Sequence, residues 1–239
     1  MQGARPYRDL AYGLARKNVI SLRFDKRPFT YPRQYSGKVG TVEEERLADA
    51  VSAVNTLRIR PEVDPRRLFV LGHSLGGLLA PEIAQRAGDV ANLILLAAPG
   101  RPVTESILQQ LRDGGEKPAD LSPLERQVKS LPSAPAAQVV LGMPAGYWQD
   151  LARRDEFGIA RRLDVPIIYI RGALDHNVLP VDQEAWAHAL AGHARFESVT
   201  LPGGLQVNNK RIFEATGDPG EPIGKMKGPS HADARFVPQ

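Results

Sequence analysis

Two hydrophobic rhythms alternate along this chain, one of helical period and one of short continuous runs of strand length. Tyr7, Leu10, Ala11 and Leu14 recur at helical spacing over residues 6–16, and residues 19–24 then read as a strand. Residues 25–40 are rich in proline and glycine and are expected to form a loop. A second helix is predicted from Thr41, where Thr41 and Glu44 make a capping box and the acidic run 43–45 suits the positive end of the helix dipole. Its inward stripe is Leu47, Val51, Val54 and Leu57, and Pro61 and Pro65 punctuate its end. A strand over residues 68–71, a helix after Gly77 and a continuous apolar strand over residues 91–98 follow. The last is apolar throughout, as a strand buried on both faces of a parallel sheet requires.

Residues 99–160 break this alternation, being polar and proline-rich with short helical patterns at 105–112 and 147–154. An insertion lying over the strand ends, shaping a pocket as a lid, fits that pattern, and a partly flexible linker is the competing reading. The alternation resumes with a strand at 165–170, a helix at about 180–191 and a last strand at 195–201; everything after Pro202 reads as irregular. The expected architecture is α/β, a mostly parallel sheet flanked by helices with right-handed crossovers. Its core is expected over residues 1–98 and 161–239, and its lid over 99–160.

The stretch Gly72-His73-Ser74-Leu75-Gly76-Gly77 sits between a predicted strand and a predicted helix. That context makes a G-x-S-x-G pentapeptide a candidate nucleophile elbow rather than an ordinary turn. A sharp turn there strains the serine backbone, and small residues two before and two after avoid collision; Gly72 and Gly76 occupy those places. Ser74 is therefore the candidate nucleophile, and the Leu75 N–H at the start of the next helix is the candidate oxyanion donor.

Composition narrows the chemistry. The 239 residues contain no cysteine, which excludes disulfides, Cys-ligated metal sites and a thiol nucleophile. The net charge is +4, and residues 1–70 hold 14 Lys/Arg against 8 Asp/Glu. These cations are scattered among apolar positions, so a solvated basic face is expected rather than a nucleic-acid site. No apolar run reaches membrane-spanning length and the first residues lack a signal-peptide core, so a soluble protein is expected, cytoplasmic if the chain is complete.

Several stretches together resemble the α/β-hydrolases, more narrowly the bacterial serine esterase and acyl-thioesterase-like branch. They are residues 6–11, Leu22-Arg-Phe-Asp-Lys-Arg27, Gly72 through Pro81, Tyr147-Trp-Gln-Asp-Leu151, and Asp164-Val-Pro166 with Arg171-Gly-Ala-Leu-Asp175. The resemblance implies a Ser-Asp-His triad in the chain order nucleophile, acid, base. Ser74 matches the nucleophile, and Asp175, in a turn after a predicted strand, matches the acid.

The base should follow the last strand. Of His73, His176, His188, His193 and His231, only His231 does so. Relatives usually carry the histidine directly after that strand, whereas residues 201–213 of this chain contain none. Either His231 returns to Ser74 as base, or the triad is broken and hydrolysis is weak or absent. The resemblance also implies further strands and a second oxyanion donor before Pro6, and a final helix near the C-terminus. A form shortened at both ends is thus expected, with an apolar sheet edge prone to self-association. The expected function is hydrolysis of small carboxylic esters or thioesters through an acyl-enzyme, with no metal and no organic cofactor. The alternative is an impaired hydrolase-fold protein that binds acyl or hydrophobic ligands.

Overall fold

The computed structural model describes residues 6–35, 41–202 and 234–237. The chain opens with α1 (Pro6–Ala15), β1 (Ser21–Phe24) and two single-turn helices, α2 (Arg27–Thr30) and α3 (Pro32–Tyr35), where the sequence predicts a loop. A π-helical turn over Glu43–Leu47 leads into α4 (Ala48–Arg58). The Ala48 N–H reaches back five residues to the Glu43 carbonyl, which defines that turn. Thr41 caps this segment by accepting the Glu44 N–H at 3.2 Å, as the capping pattern predicts.

Next come β2 (Phe69–His73), α5 (Leu75–Leu78), α6 (Ala80–Ala87) and β3 (Asn92–Leu96). Pro81 lies in the first turn of α6, where its missing N–H costs least. The insertion then supplies α7 (Val103–Asp113), α8 (Pro118–Ser130), a short β4 (Val139–Val140) and β5 (Met143–Pro144) hairpin, and α9 (Ala145–Ala152). After it come α10 (Glu156–Arg162), β6 (Ile167–Gly172), α11 (Pro180–Ala189), β7 (Phe196–Leu201) and β8 (Ala234–Val237).

The main sheet has the order β2-β3-β6-β7 with every pairing parallel, and helices flank it. Leu93 and Leu95 of β3 and Ile167 and Tyr169 of β6 are fully buried, packed with Leu79 ahead of α6 and Trp186 of α11. β1 departs from the simple alternation. Among the described residues it joins no parallel neighbour and pairs antiparallel with β8, so residues 234–237 are a strand where the sequence predicts irregular chain.

The insertion is helical and packed. Leu131, Val140, Tyr147, Trp148 and Leu151 join the central core, the Trp148 indole donates to the Val140 carbonyl at 2.8 Å, and the Gln149 amide donates to the Leu131 and Ala134 carbonyls. These are the contacts of a folded element rather than a linker.

Candidate active site

Ser74 stands at the C-terminal end of β2, between that strand and α5, with φ 52° and ψ −125°. A non-glycine residue at positive φ is held there only by its surroundings. Here the Ser74 N–H donates to the Leu96 carbonyl at 2.9 Å, and the Gly77 and Leu78 amides donate to the Ser74 carbonyl. The tightness of the turn falls on Gly72 and Gly77. A Cβ on Gly72 would lie 2.1 Å from the Gly76 carbonyl oxygen, and one on Gly77 would lie 2.9 Å from both the Ala98 Cβ and the Gly72 carbonyl oxygen. Gly76 differs from the steric expectation, for a Cβ there would meet nothing within 4 Å. Leu75 is the first residue of α5, so its N–H has no acceptor within the helix.

Asp175 follows β6 in a buried turn, 6% exposed, and its Oδ1 accepts the Asn177 and Val178 amides at 2.9 and 3.1 Å. Ser74 and Asp175 thus both occupy the carboxyl ends of parallel strands, with β3 between them, the edge where open α/β sheets bind ligands. His231 lies outside the described residues. His73, the residue before Ser74 in the chain, is half-buried. Burial lowers its pKa below the ordinary range against the opposing charge of Asp175, and its Nδ1 is 2.8 Å from the Tyr7 hydroxyl.

The floor of this region is tied down by Asp182 of α11, which is fully buried. It accepts the Gly100, Arg101 and Leu179 amides and a two-pronged bond from the Arg101 guanidinium. Burial opposes its ionisation, but those donors outweigh burial and hold its carboxyl below the ordinary carboxylate range. The result fixes the loop containing Pro99 against α11, where the Trp186 indole also donates to the Pro99 carbonyl.

Ser74, Leu75 and Pro99 line a cavity of about 270 Å³ whose opposite wall comes from the insertion. Val103, Ile107, Met143 and Trp148 make that wall largely apolar. One polar side was not foreseen in the sequence. The π-helical turn brings Glu45 and Arg46 onto the cavity, and Tyr147 of α9 meets them there. The Tyr147 hydroxyl donates to Glu45 Oε2 at 2.6 Å, Arg46 Nε donates to the same oxygen at 3.0 Å, and Lys26 Nζ lies 3.1 Å from Oε1. Burial resists ionisation of Glu45, yet the Arg46 charge, the Tyr147 hydrogen bond and Lys26 together keep its carboxyl below the ordinary value. Burial, with Glu45 as acceptor and against the charge of Arg46, pushes the Tyr147 hydroxyl up to about 12, so it remains a donor. The Tyr147–Glu45 contact joins residues 102 apart in sequence, which no local pattern signals.

A family model described as the alpha/beta hydrolase family matches residues 7–223. The chain is 38% identical over 192 residues to Esterase EstD of Thermotoga maritima, an alignment covering 78% of this chain and 45% of EstD. It is 28% identical over 196 residues to the uncharacterized protein YfhR of Salmonella typhi, covering 82% of this chain and 57% of YfhR. The chain therefore spans about half the length of these curated relatives. A solved structure reported for LipS and LipT, metagenome-derived lipolytic enzymes, superposes with a TM-score of 0.53 at 22% identity. That superposition covers 82% of this chain and 77% of the other, and it shows a shared fold. On the family match and on its parallel sheet with a helical insertion after β3, this chain belongs to the alpha/beta hydrolase family.

Proposed function

We propose that this protein is a serine hydrolase that cleaves small carboxylic esters or thioesters through an acyl-enzyme. The observation that carries the proposal is Ser74 at φ 52° on a strand-to-helix turn, lining a largely apolar cavity. Strained backbone at a cavity wall is retained where it presents a reactive side chain. The similarity to an esterase supports the choice of ester substrates.

In this reading the Ser74 hydroxyl oxygen attacks the substrate carbonyl and its proton passes to His231. The Leu75 N–H stabilises the oxyanion. Collapse of the tetrahedral intermediate expels the alcohol or thiol, which takes the proton from His231, and water then cleaves the acyl-enzyme by the same route. Asp175 orients the histidine and supports its positive charge. The insertion acts as the lid over the acyl pocket, through Met143, Trp148 and α7. No metal or organic cofactor takes part.

The absence of a histidine from residues 201–213 favours a second reading, in which the pocket binds acyl ligands without turnover. Hydrolysis of p-nitrophenyl acetate separates the two. The hydrolase reading predicts turnover that Ser74→Ala, Asp175→Asn and His231→Ala each lower by about 10⁴-fold. Turnover that survives Ser74→Ala would contradict it.

A further inference from the structure

The cavity beside Ser74 has a charged side that acyl transfer itself does not require. Glu45 is the carboxylate shared by two cations there, Lys26 on Oε1 and Arg46 on Oε2. Oε2 also accepts the Tyr147 hydroxyl, so both Glu45 oxygens are engaged. Three nearby carboxylates are paired elsewhere, Glu43 to Arg86, Asp49 to Arg27 and Asp150 to Arg154. On the cavity wall itself Glu45 faces Arg46, while Lys26 engages Glu45 from outside the lining.

Arg46 presents its charge in a usable form. Its bonds to Glu45 and Tyr147 use Nε alone, and among the described residues Nη1 and Nη2 have no hydrogen-bond partner. The side chain is 23% exposed, and the residue lines the cavity together with Ser74. Ser106 of α7 lines the same cavity at 4% exposure, and among the described residues its Oγ has no hydrogen-bond partner. A guanidinium with both terminal nitrogens free is a planar fork matched to a carboxylate, and a half-buried site strengthens such a bond relative to water. The π-helical turn that places Arg46 is itself a device frequently found at functional sites.

We propose that Arg46 receives a carboxylate carried by the substrate, so that the pocket selects short esters or thioesters with an anionic end, such as half-esters of small dicarboxylic acids. The proposal rests on the hydrolase reading for the identity of the scissile bond, and on the Arg46 geometry for the anion. A cavity of about 270 Å³ leaves room for a short chain between the two.

Two measurements separate these supports. The first compares kcat/KM for p-nitrophenyl hemiglutarate and p-nitrophenyl pentanoate in the wild type and in Arg46→Gln. Their ratio is insensitive to the fraction of folded enzyme. It is expected to favour the hemiglutarate in the wild type and to fall by about tenfold or more in Arg46→Gln, with Arg46→Lys between. A ratio that is unchanged by Arg46→Gln overturns the anion site. The second titrates glutarate calorimetrically into Ser74→Ala and into the Ser74→Ala/Arg46→Gln double variant, and needs no turnover. Binding weakened about tenfold by the Arg46 change supports the anion site even where neither ester is hydrolysed, an outcome that removes the hydrolase reading alone. Hydrolysis of the pentanoate with no preference for the hemiglutarate and no glutarate binding removes the anion site alone. Absence of both turnover and binding overturns both.

Discussion

Gly72 and Gly76 stand two residues either side of Ser74, yet space constrains them differently. A methyl group on Gly72 would drive into the Gly76 carbonyl, whereas one on Gly76 would enter open space inside a helix. Gly72→Ala is therefore expected to destabilise the protein by about 3 kcal/mol, as overpacking against fixed backbone does. Gly76→Ala is expected to leave stability unchanged or raise it by about 0.5–1 kcal/mol, because alanine loses less entropy in a helix. Urea unfolding of the two variants checks the contrast, and equal destabilisation would contradict it. The placement of single residues was legible in the sequence where the signal is local. Ser74 and Asp175 each declare themselves by a turn directly after an apolar strand run. Arg46, Glu45 and Tyr147 did not, because their meaning arises from contacts 101 and 102 residues apart. In the sequence the acidic run 43–45 reads only as a complement to the helix dipole.

Helices α6 and α10 meet through a buried acid. Glu156, in the first turn of α10, is 4% exposed, and its Oε2 accepts the Glu82 amide at 3.2 Å. Burial, reinforced by the Glu82 charge, pushes its pKa up to about 8. An unfolded glutamate titrates near 4.3, so between those values the folded state holds more protons than the unfolded one. The contribution of Glu156 is thus fully present below about pH 4 and is lost as pH rises through about 8. Glu156→Gln keeps an acceptor for the Glu82 amide and removes the titration. Its stability relative to wild type is expected to grow from pH 5 to pH 8 in paired thermal melts, and a constant difference would contradict the assignment. At this scale helical periodicity located α1, α4, α7, α9 and α11, but prolines misled. Pro118 opens α8 at a position where its missing N–H costs nothing, and Pro123 is accommodated inside that helix. Composition alone reads the same stretch as a break.

The whole molecule presents its candidate chemistry at the carboxyl edge of one parallel sheet, under a packed helical insertion. Alternating strand and helix patterns made that architecture legible. Sheet order was not, since periodicity says that a segment is a strand and not which strand it joins. β1 therefore appears in sequence as one more parallel strand but pairs antiparallel with β8. β2 is left as an outer strand of the described sheet, with Phe69 50% and Leu71 37% exposed. The fold brings Ser74 and Arg46 to one cavity and sets the Asp175 turn at the same sheet edge, and the proposed hydrolase chemistry makes Ser74 the nucleophile. The most direct measurement is mass spectrometry of the protein after incubation with a fluorophosphonate. A nucleophilic Ser74 is expected to give a single covalent adduct, mapped to the peptide containing Ser74 and lost in Ser74→Ala. An unmodified protein, or an adduct that persists in Ser74→Ala, would contradict it.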